Sequence, residues 1–212
     1  NPEKVMAEIR DLELADIVYD QATLLPADGV GLVHAAKILG YPALKRLTGI
    51  ELFGGLLDLA QQEDYSVFLY GATKETLIAI SQHLPKTHPR LKIKGAIDGY
   101  SYDHKDKEQQ KKLIGEIKAA NPDFLFVALG SPKQEKWIAG ALPLLDVKLA
   151  MGVGGSFDVL AGNVKRAPSW MQEAGLEWLY RLIKQPSRIL RVKNLPIFLI
   201  QVIGERLRTG KL

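Results

Sequence analysis

Cysteine is absent from the 212 residues. That excludes a disulfide framework, a thiolate metal site and a cysteine nucleophile, and it is compatible with a reducing compartment. No apolar run approaches the ~20 residues that a spanning helix requires. The chain opens at Asn1 with neither a basic n-region nor an apolar h-region, so no signal peptide is expected there. The four histidines (His34, His83, His88 and His104) do not fall at metal-ligand spacings. No Asp-x-Asp occurs, so the usual metal-binding motif for nucleotide sugars is missing. No Gly-x-Gly-x-x-Gly follows the first strand, no Walker loop occurs, and Asp158 stands where a serine nucleophile elbow needs its second glycine.

What is present is an ordinary globular composition, 47% hydrophobic and 25% charged, with length for one well-filled core. The net charge of +4 is unevenly spread. From Arg181 to the end, eight basic residues face one acid, Glu205, a local charge of +7 that leaves the first 180 residues at −3. A basic tail on a mildly acidic body points to an anionic partner: phospholipid, nucleic acid or a diphosphate.

The order of segments predicts an α/β fold. Asn1-Pro2-Glu3 reads as the start of a helix running to about Arg10. Ala15–Tyr19 reads as a short strand, which would put Asp28, with Gly29 behind it, in a loop at a strand's carboxyl end, where open α/β sheets place their chemistry. Helical spacing follows over 29–39 and 50–61. Strands at 66–70, 92–97, 123–129 and 147–151 then alternate with helices at 74–83, 106–120 and 133–142. This alternation predicts a Rossmann-like parallel sheet with helices on both faces. Pro168–Ile183 reads as a last body helix. The apolar run 197–203, flanked by bases, suits lying on a membrane. The expected division is a core over 1–180 and a basic helical C-terminal appendage over 181–212.

Three stretches carry candidate chemistry. In Gly130-Ser131-Pro132-Lys133-Gln134-Glu135, Ser131 can cap a helix and Pro132 can occupy its first position, leaving amides for an anion or polar ligand; a plain capped helix explains the same residues. Gly152-Val153-Gly154-Gly155-Ser156-Phe157-Asp158 offers either close backbone approach to a ligand or a tight turn, with Asp158 free to cap a helix or to accept from a ligand hydroxyl. Arg181, Lys184, Arg188 and Arg191 share one face if helical, giving either a solvated basic face or a diphosphate clamp. Tyr70, Tyr100 and Tyr102 serve packing as readily as function.

The two glycine-led stretches, together with Asn1-Pro2-Glu3, Ala27-Asp28-Gly29-Val30-Gly31, Arg46-Leu47-Thr48-Gly49, Lys165-Arg166-Ala167-Pro168 and Gly175-Leu176-Glu177-Trp178-Leu179-Tyr180-Arg181-Leu182, resemble the WecG/TagA/CpsF glycosyltransferases in order over essentially the whole chain. The resemblance implies a peripheral enzyme of bacterial envelope polymer synthesis (teichoic acid, capsule or exopolysaccharide) on the inner face of the plasma membrane. It implies inverting transfer of N-acetylmannosamine or its uronic acid from a UDP-sugar to N-acetylglucosamine on undecaprenyl diphosphate, with no metal or other cofactor. Asp28 would be the general base, and Arg181, Arg188 and Arg191 the fixed cations on the departing diphosphate. Asn1, Gly29, Arg46, Ser131, Gln134, Gly154 and Asp158 would line the substrate positions. Family members carry a short region ahead of the Asn-Pro-Glu helix, including a threonine near the substrate, which falls before Asn1. The tail's apolar run is expected to self-associate off the membrane.

Two other readings stay open on the residues alone. One is a methyltransferase or dehydrogenase of Rossmann type, which the missing glycine fingerprint disfavours. The other is a nucleic-acid module using the basic tail, although the body lacks an aromatic-and-basic reading surface.

Overall fold

Two runs, Ser66-Val67-Phe68-Leu69-Tyr70-Gly71 and Phe124-Leu125-Phe126-Val127-Ala128, apolar from Val67 onward in the first and throughout in the second, are buried at every residue. Strands covered on both faces have this pattern, whereas a half-exposed strand alternates. In the computed structural model, which describes residues 2–42, 44–184 and 194–209, they are the two central strands of a four-stranded parallel sheet. Strand β1 (Ser66–Gly71) pairs with β2 (Lys92–Ile97) on one side and β3 (Phe124–Ala128) on the other, and β4 (Leu149–Gly152) lies outside β3, giving the order β2-β1-β3-β4. The expected parallel sheet is therefore present.

Alternate side chains of β1 and β3 go to opposite faces. Val67, Leu69, Phe124 and Phe126 pack with Phe53, Leu57 and Ala60 of α4 (Gly49–Gln62) and Leu77, Ile80 and Leu84 of α5 (Lys74–Thr87). Phe68, Tyr70, Leu125 and Val127 meet Leu113 and Ile117 of α6 (Lys107–Ala120) and half-buried Trp137 and Ile138 of α7 (Lys133–Ala141). Helices thus cover both faces. Phe53 meets Phe126 edge-on, with ring centroids 4.8 Å apart, a geometry that adds to simple burial. Sheet and helices belong to one compact unit, Gly49–Lys165.

Asn1–Thr48 and Arg166–Leu212 form a second unit. It contains α1 (Pro2–Glu8), α2 (Leu12–Asp16), α3 (Val30–Ile38), α9 (Ser169–Glu173), α10 (Glu177–Lys184) and α11 (Asn194–Thr209). The strand expected at Ala15–Tyr19 is instead helical: α2 continues as a π turn over Ile17–Gln21. Asp11 caps α2 by accepting from the Leu14 N–H (3.1 Å), and Leu14 and Val18, four apart, are the buried pair. Helical period and capping outweigh the strand preference of Ile17-Val18-Tyr19.

The helix expected over Pro168–Ile183 is broken in two by Gly175, at φ +72°, where a Cβ would come within 2.9 Å of Val30. The boundary expected after residue 180 falls inside α10. In α11, Phe198 and Val202 are buried against Met6 of α1 and Ala35 of α3, while Ile200, Ile203 and Leu207 are exposed. No helix among the described residues is long and apolar enough to cross a membrane.

Candidate functional site

Connections leave β1 for β2 on one side and return past it to β3 on the other. The carboxyl ends of β1 and β3 therefore form a switch point, where open parallel sheets leave a crevice for ligands. The loops here are tied backbone to backbone. The Ala72 N–H donates to the Ala128 carbonyl (2.9 Å), the Gly99 N–H to the Ala72 carbonyl (2.9 Å) and the Val153 N–H to the Val127 carbonyl (2.8 Å).

Gln134 joins the loops after β3 and β4. Its side chain is buried, and its Oε1 accepts from the Gly130 N–H (3.1 Å) and the Gly154 N–H (3.0 Å), while Nε2 donates to Glu135 Oε1 (3.1 Å). A Cβ on Gly152 would lie 2.6 Å from Gln134 Nε2, so glycine at that position makes room for the amide. Gln134 and Gly154 are brought together by this bond, and the glutamine oxygen is engaged by backbone.

Ser131 and Pro132 differ from their expected roles. Pro132 is the N-cap residue of α7, with no side-chain cap bond. Ser131 stands one residue ahead of it and is exposed. The turn closes instead through the Gln134 N–H on the Gly130 carbonyl (3.0 Å).

Asp158 is likewise not a cap. Gly155 caps α8 (Ser156–Leu160), and Asp158 sits in its first turn. Its Oδ1 accepts from the hydroxyl of buried Thr76 (3.2 Å), and Thr76 Oγ1 in turn accepts from Asn163 Nδ2 (3.3 Å) and Thr73 Oγ1 (3.2 Å). This group was not singled out in the sequence. The available signal was Thr73 directly after a strand-ending Gly71-Ala72, the usual place for an N-cap.

The loop after β2 is held by its own polar groups. Asp98 accepts from the Ser101 hydroxyl (2.6 Å) and the Tyr100 N–H (2.9 Å), and these bonds hold its carboxyl below the usual range. His104 Nε2 lies 3.2 Å from the Gly99 carbonyl and Nδ1 lies 3.4 Å from the Tyr70 hydroxyl. Burial, with the Asp98 charge behind it, pushes the Tyr70 phenol up, so it stays protonated.

In the second unit, Asp28 lies in the loop before α3. The expected strand end does not exist there, because the preceding segment is helical. The Asp28 N–H donates to the Pro26 carbonyl (2.9 Å), and Gly29, at φ +95°, caps α3. Asp28 is half-buried, and its carboxylate has no hydrogen-bond or ion-pair partner among the described residues. The Leu47 N–H donates to the Ala27 carbonyl (3.2 Å), and Arg46 Nη1 donates to the Gln172 carbonyl (3.1 Å). Arg166 Nη2 lies 3.8 Å from Glu177 at the start of α10. The structure thus gathers the Asp28 loop, Arg46 and the α9–α10 turn within one unit. Arg181 lies one helical turn beyond Glu177 on α10. Asn1, Arg188 and Arg191 lie outside the described residues. Among the described residues no cluster of three or more His, Asp or Glu side chains could hold a metal ion.

A family model, the Glycosyl transferase WecG/TagA/CpsF family, matches residues 1–212. The chain belongs to this family. It is 39% identical over 205 residues to the N-acetylglucosaminyldiphosphoundecaprenol N-acetyl-beta-D-mannosaminyltransferase of Bacillus subtilis (strain 168), covering 97% of this chain and 77% of that protein. Proteins of the same name from Bacillus spizizenii and Staphylococcus aureus (strain MW2) are 38% and 35% identical, each over 92% of this chain and 74% of the relative. Family membership makes the chain a glycosyltransferase and sets aside the methyltransferase and dehydrogenase readings.

Proposed function

We propose that this glycosyltransferase moves N-acetylmannosamine from a UDP-sugar onto N-acetylglucosamine carried by undecaprenyl diphosphate. Its relatives' names support the acceptor and the transferred sugar. The observation that carries the mechanism is the Asp28 carboxylate, half-buried and unpartnered among the described residues. A general base must be within reach of its proton and not already committed to the protein.

In this reading Asp28 takes the proton of the acceptor hydroxyl as that oxygen bonds to the anomeric carbon. The bond from that carbon to the β-phosphate oxygen breaks on the opposite face, and UDP departs with the electron pair. One carboxylate suffices, and the anomeric centre inverts. Charge growing on the diphosphate is met by Arg181, Arg188 and Arg191, acting in place of a metal. Asp158, at the sheet's carboxyl ends, accepts from a donor hydroxyl.

The exposed Ile200, Ile203 and Leu207 of α11, with Arg206 and Arg208 beside them, suit an anionic membrane surface. The enzyme would work on the inner face of the bacterial plasma membrane, with self-association covering the apolar ridge when it is off the membrane.

The test is Asp28→Asn, assayed with UDP-N-acetylmannosamine and a lipid-diphosphate N-acetylglucosamine. The expected loss in turnover is ~10²–10⁴-fold. Activity within a few-fold of wild type removes Asp28 from the role of base.

A further inference from the structure

We propose that Thr76 is a positioning residue for the donor substrate, acting through Asp158. The inference rests on the reading of Asp158 as a donor contact.

A threonine hydroxyl has one proton to give and two lone pairs. All three capacities of Thr76 are used. It donates to Asp158 Oδ1 (3.2 Å) and accepts from Asn163 Nδ2 (3.3 Å) and Thr73 Oγ1 (3.2 Å). Thr73 Oγ1 is itself fixed as the N-cap of α5, accepting from the Thr76 N–H (3.2 Å). The direction of the Thr76–Asp158 bond follows from the partners: an amide NH2 such as Asn163 Nδ2 can only donate and the Asp158 carboxylate can only accept, so the Thr76 proton faces Asp158.

The consequence falls on the carboxylate. Thr76 is buried in the first turn of α5, a helix seated on the sheet through Leu77 and Ile80. It ties one oxygen of Asp158 to that rigid element. Asp158 Oδ2 has no partner among the described residues, and the side chain is half-buried. One oxygen is held and the other is presented. A carboxylate fixed in this way accepts from a ligand hydroxyl or N–H without first surrendering rotamer freedom, and preorganisation of this kind strengthens ground-state binding. The sugar and ribose hydroxyls of a nucleotide sugar are donors of the required chemistry.

The experiment is a double-mutant cycle in the full chain, reading donor KM and kcat separately with UDP-N-acetylmannosamine. Thr76→Val keeps the β-branched shape and removes the hydroxyl; it should raise donor KM about tenfold or more with kcat within about threefold, the split that lost ground-state binding produces. Thr76→Ser keeps the hydroxyl and should stay within about threefold of wild type on both. In an Asp158→Ala background, Thr76→Val should change donor KM by less than about twofold, because its route of action is gone. Should Thr76→Val not fold, Thr76→Ala removes the same hydroxyl with a better helix former.

An unchanged KM in Thr76→Val, an equally impaired Thr76→Ser, or an undiminished effect in the Asp158→Ala background each overturns the assignment. If Asp158→Ala itself leaves donor KM unchanged, the donor role of Asp158 falls and takes Thr76 with it. If Asp158→Ala raises KM and Thr76→Val does not, only the positioning role falls.

Discussion

Replacing Gln134 by leucine should loosen the loops after β3 and β4 together. The side chain keeps similar bulk, so the cavity contribution is small. What disappears is the shared acceptor of two backbone donors, Gly130 at 3.1 Å and Gly154 at 3.0 Å, together with the Nε2 donor to Glu135, whose carboxylate can turn to water. A donor left without an acceptor costs about 1–3 kcal/mol. Both glycines are half-buried rather than sealed, so water reaches them on relaxation and the lower end applies: about 1 kcal/mol for each and about 2 kcal/mol in all. For a chain of this size that corresponds to about 4–8 °C in Tm. The decisive assay is amide hydrogen exchange of the full chain: the Gly130 and Gly154 amides should lose protection together, while Phe126, in the centre of β3, should not. Gln134→Glu makes a sharper comparison. Its carboxylate still accepts from both amides but faces Glu135, so its deficit should shrink between pH 7 and pH 5 as one of the pair takes up a proton. A Gln134→Leu protein within about 0.5 kcal/mol of wild type, with Gly130 and Gly154 still protected, would refute the clasp.

Two further outcomes follow from the same geometry. Asp123 accepts from the Ser66 N–H and hydroxyl (2.8 Å each) and pairs with Lys148, and these bonds, Lys148 foremost, hold its carboxyl well below the usual range. A depressed folded value means that stability is fully present above the unfolded carboxylate value, near 4, and is lost as pH falls towards the folded one. Asp123→Asn should cost about 1–2 kcal/mol at pH 7 and flatten the acid limb of a urea-unfolding series; a parallel acid limb would count against the pairing. Combined Arg181, Arg188 and Arg191→Ala should lower turnover by about 10²-fold or more with an unchanged circular dichroism spectrum. Near-wild-type turnover would remove these arginines from the mechanism. Substitution is a cleaner test than deleting 181–212, because Phe198 and Val202 cover Met6 and Ala35 and their removal would expose α1 and α3.

The sheet was legible because strands buried on both faces need no partner to be recognised. Val67–Tyr70 and Phe124–Ala128 are continuous apolar runs ended by glycine or a turn, and the helices between them carry their period and caps locally, as Asp106 does for α6. The Ala15–Tyr19 segment misled because its β-branched and aromatic residues favour a strand, while the burial of Leu14 and Val18 on one helical face is a tertiary fact. Ser131 misled for a related reason: it can cap a helix and does not, since Pro132 holds the N-cap position, and of the two roles open to Asp158 the capping one is taken by Gly155.

By itself, then, the sequence determined the parallel α/β sheet, the basic tail and the glycosyltransferase family, because periodicity, charge and ordered motifs are properties of the chain read along its length. Only the tertiary structure decided what the polar side chains at the strand ends do. Gln134 is spent on two loop amides, Thr76 holds one oxygen of Asp158, and Asp28 follows a helix rather than a strand yet keeps its carboxylate unengaged among the described residues. Thr76 and Asp158 are 82 positions apart. A hydrogen-bonding side chain takes whichever partner folding brings within reach, and over such separations no local pattern specifies which partner that will be.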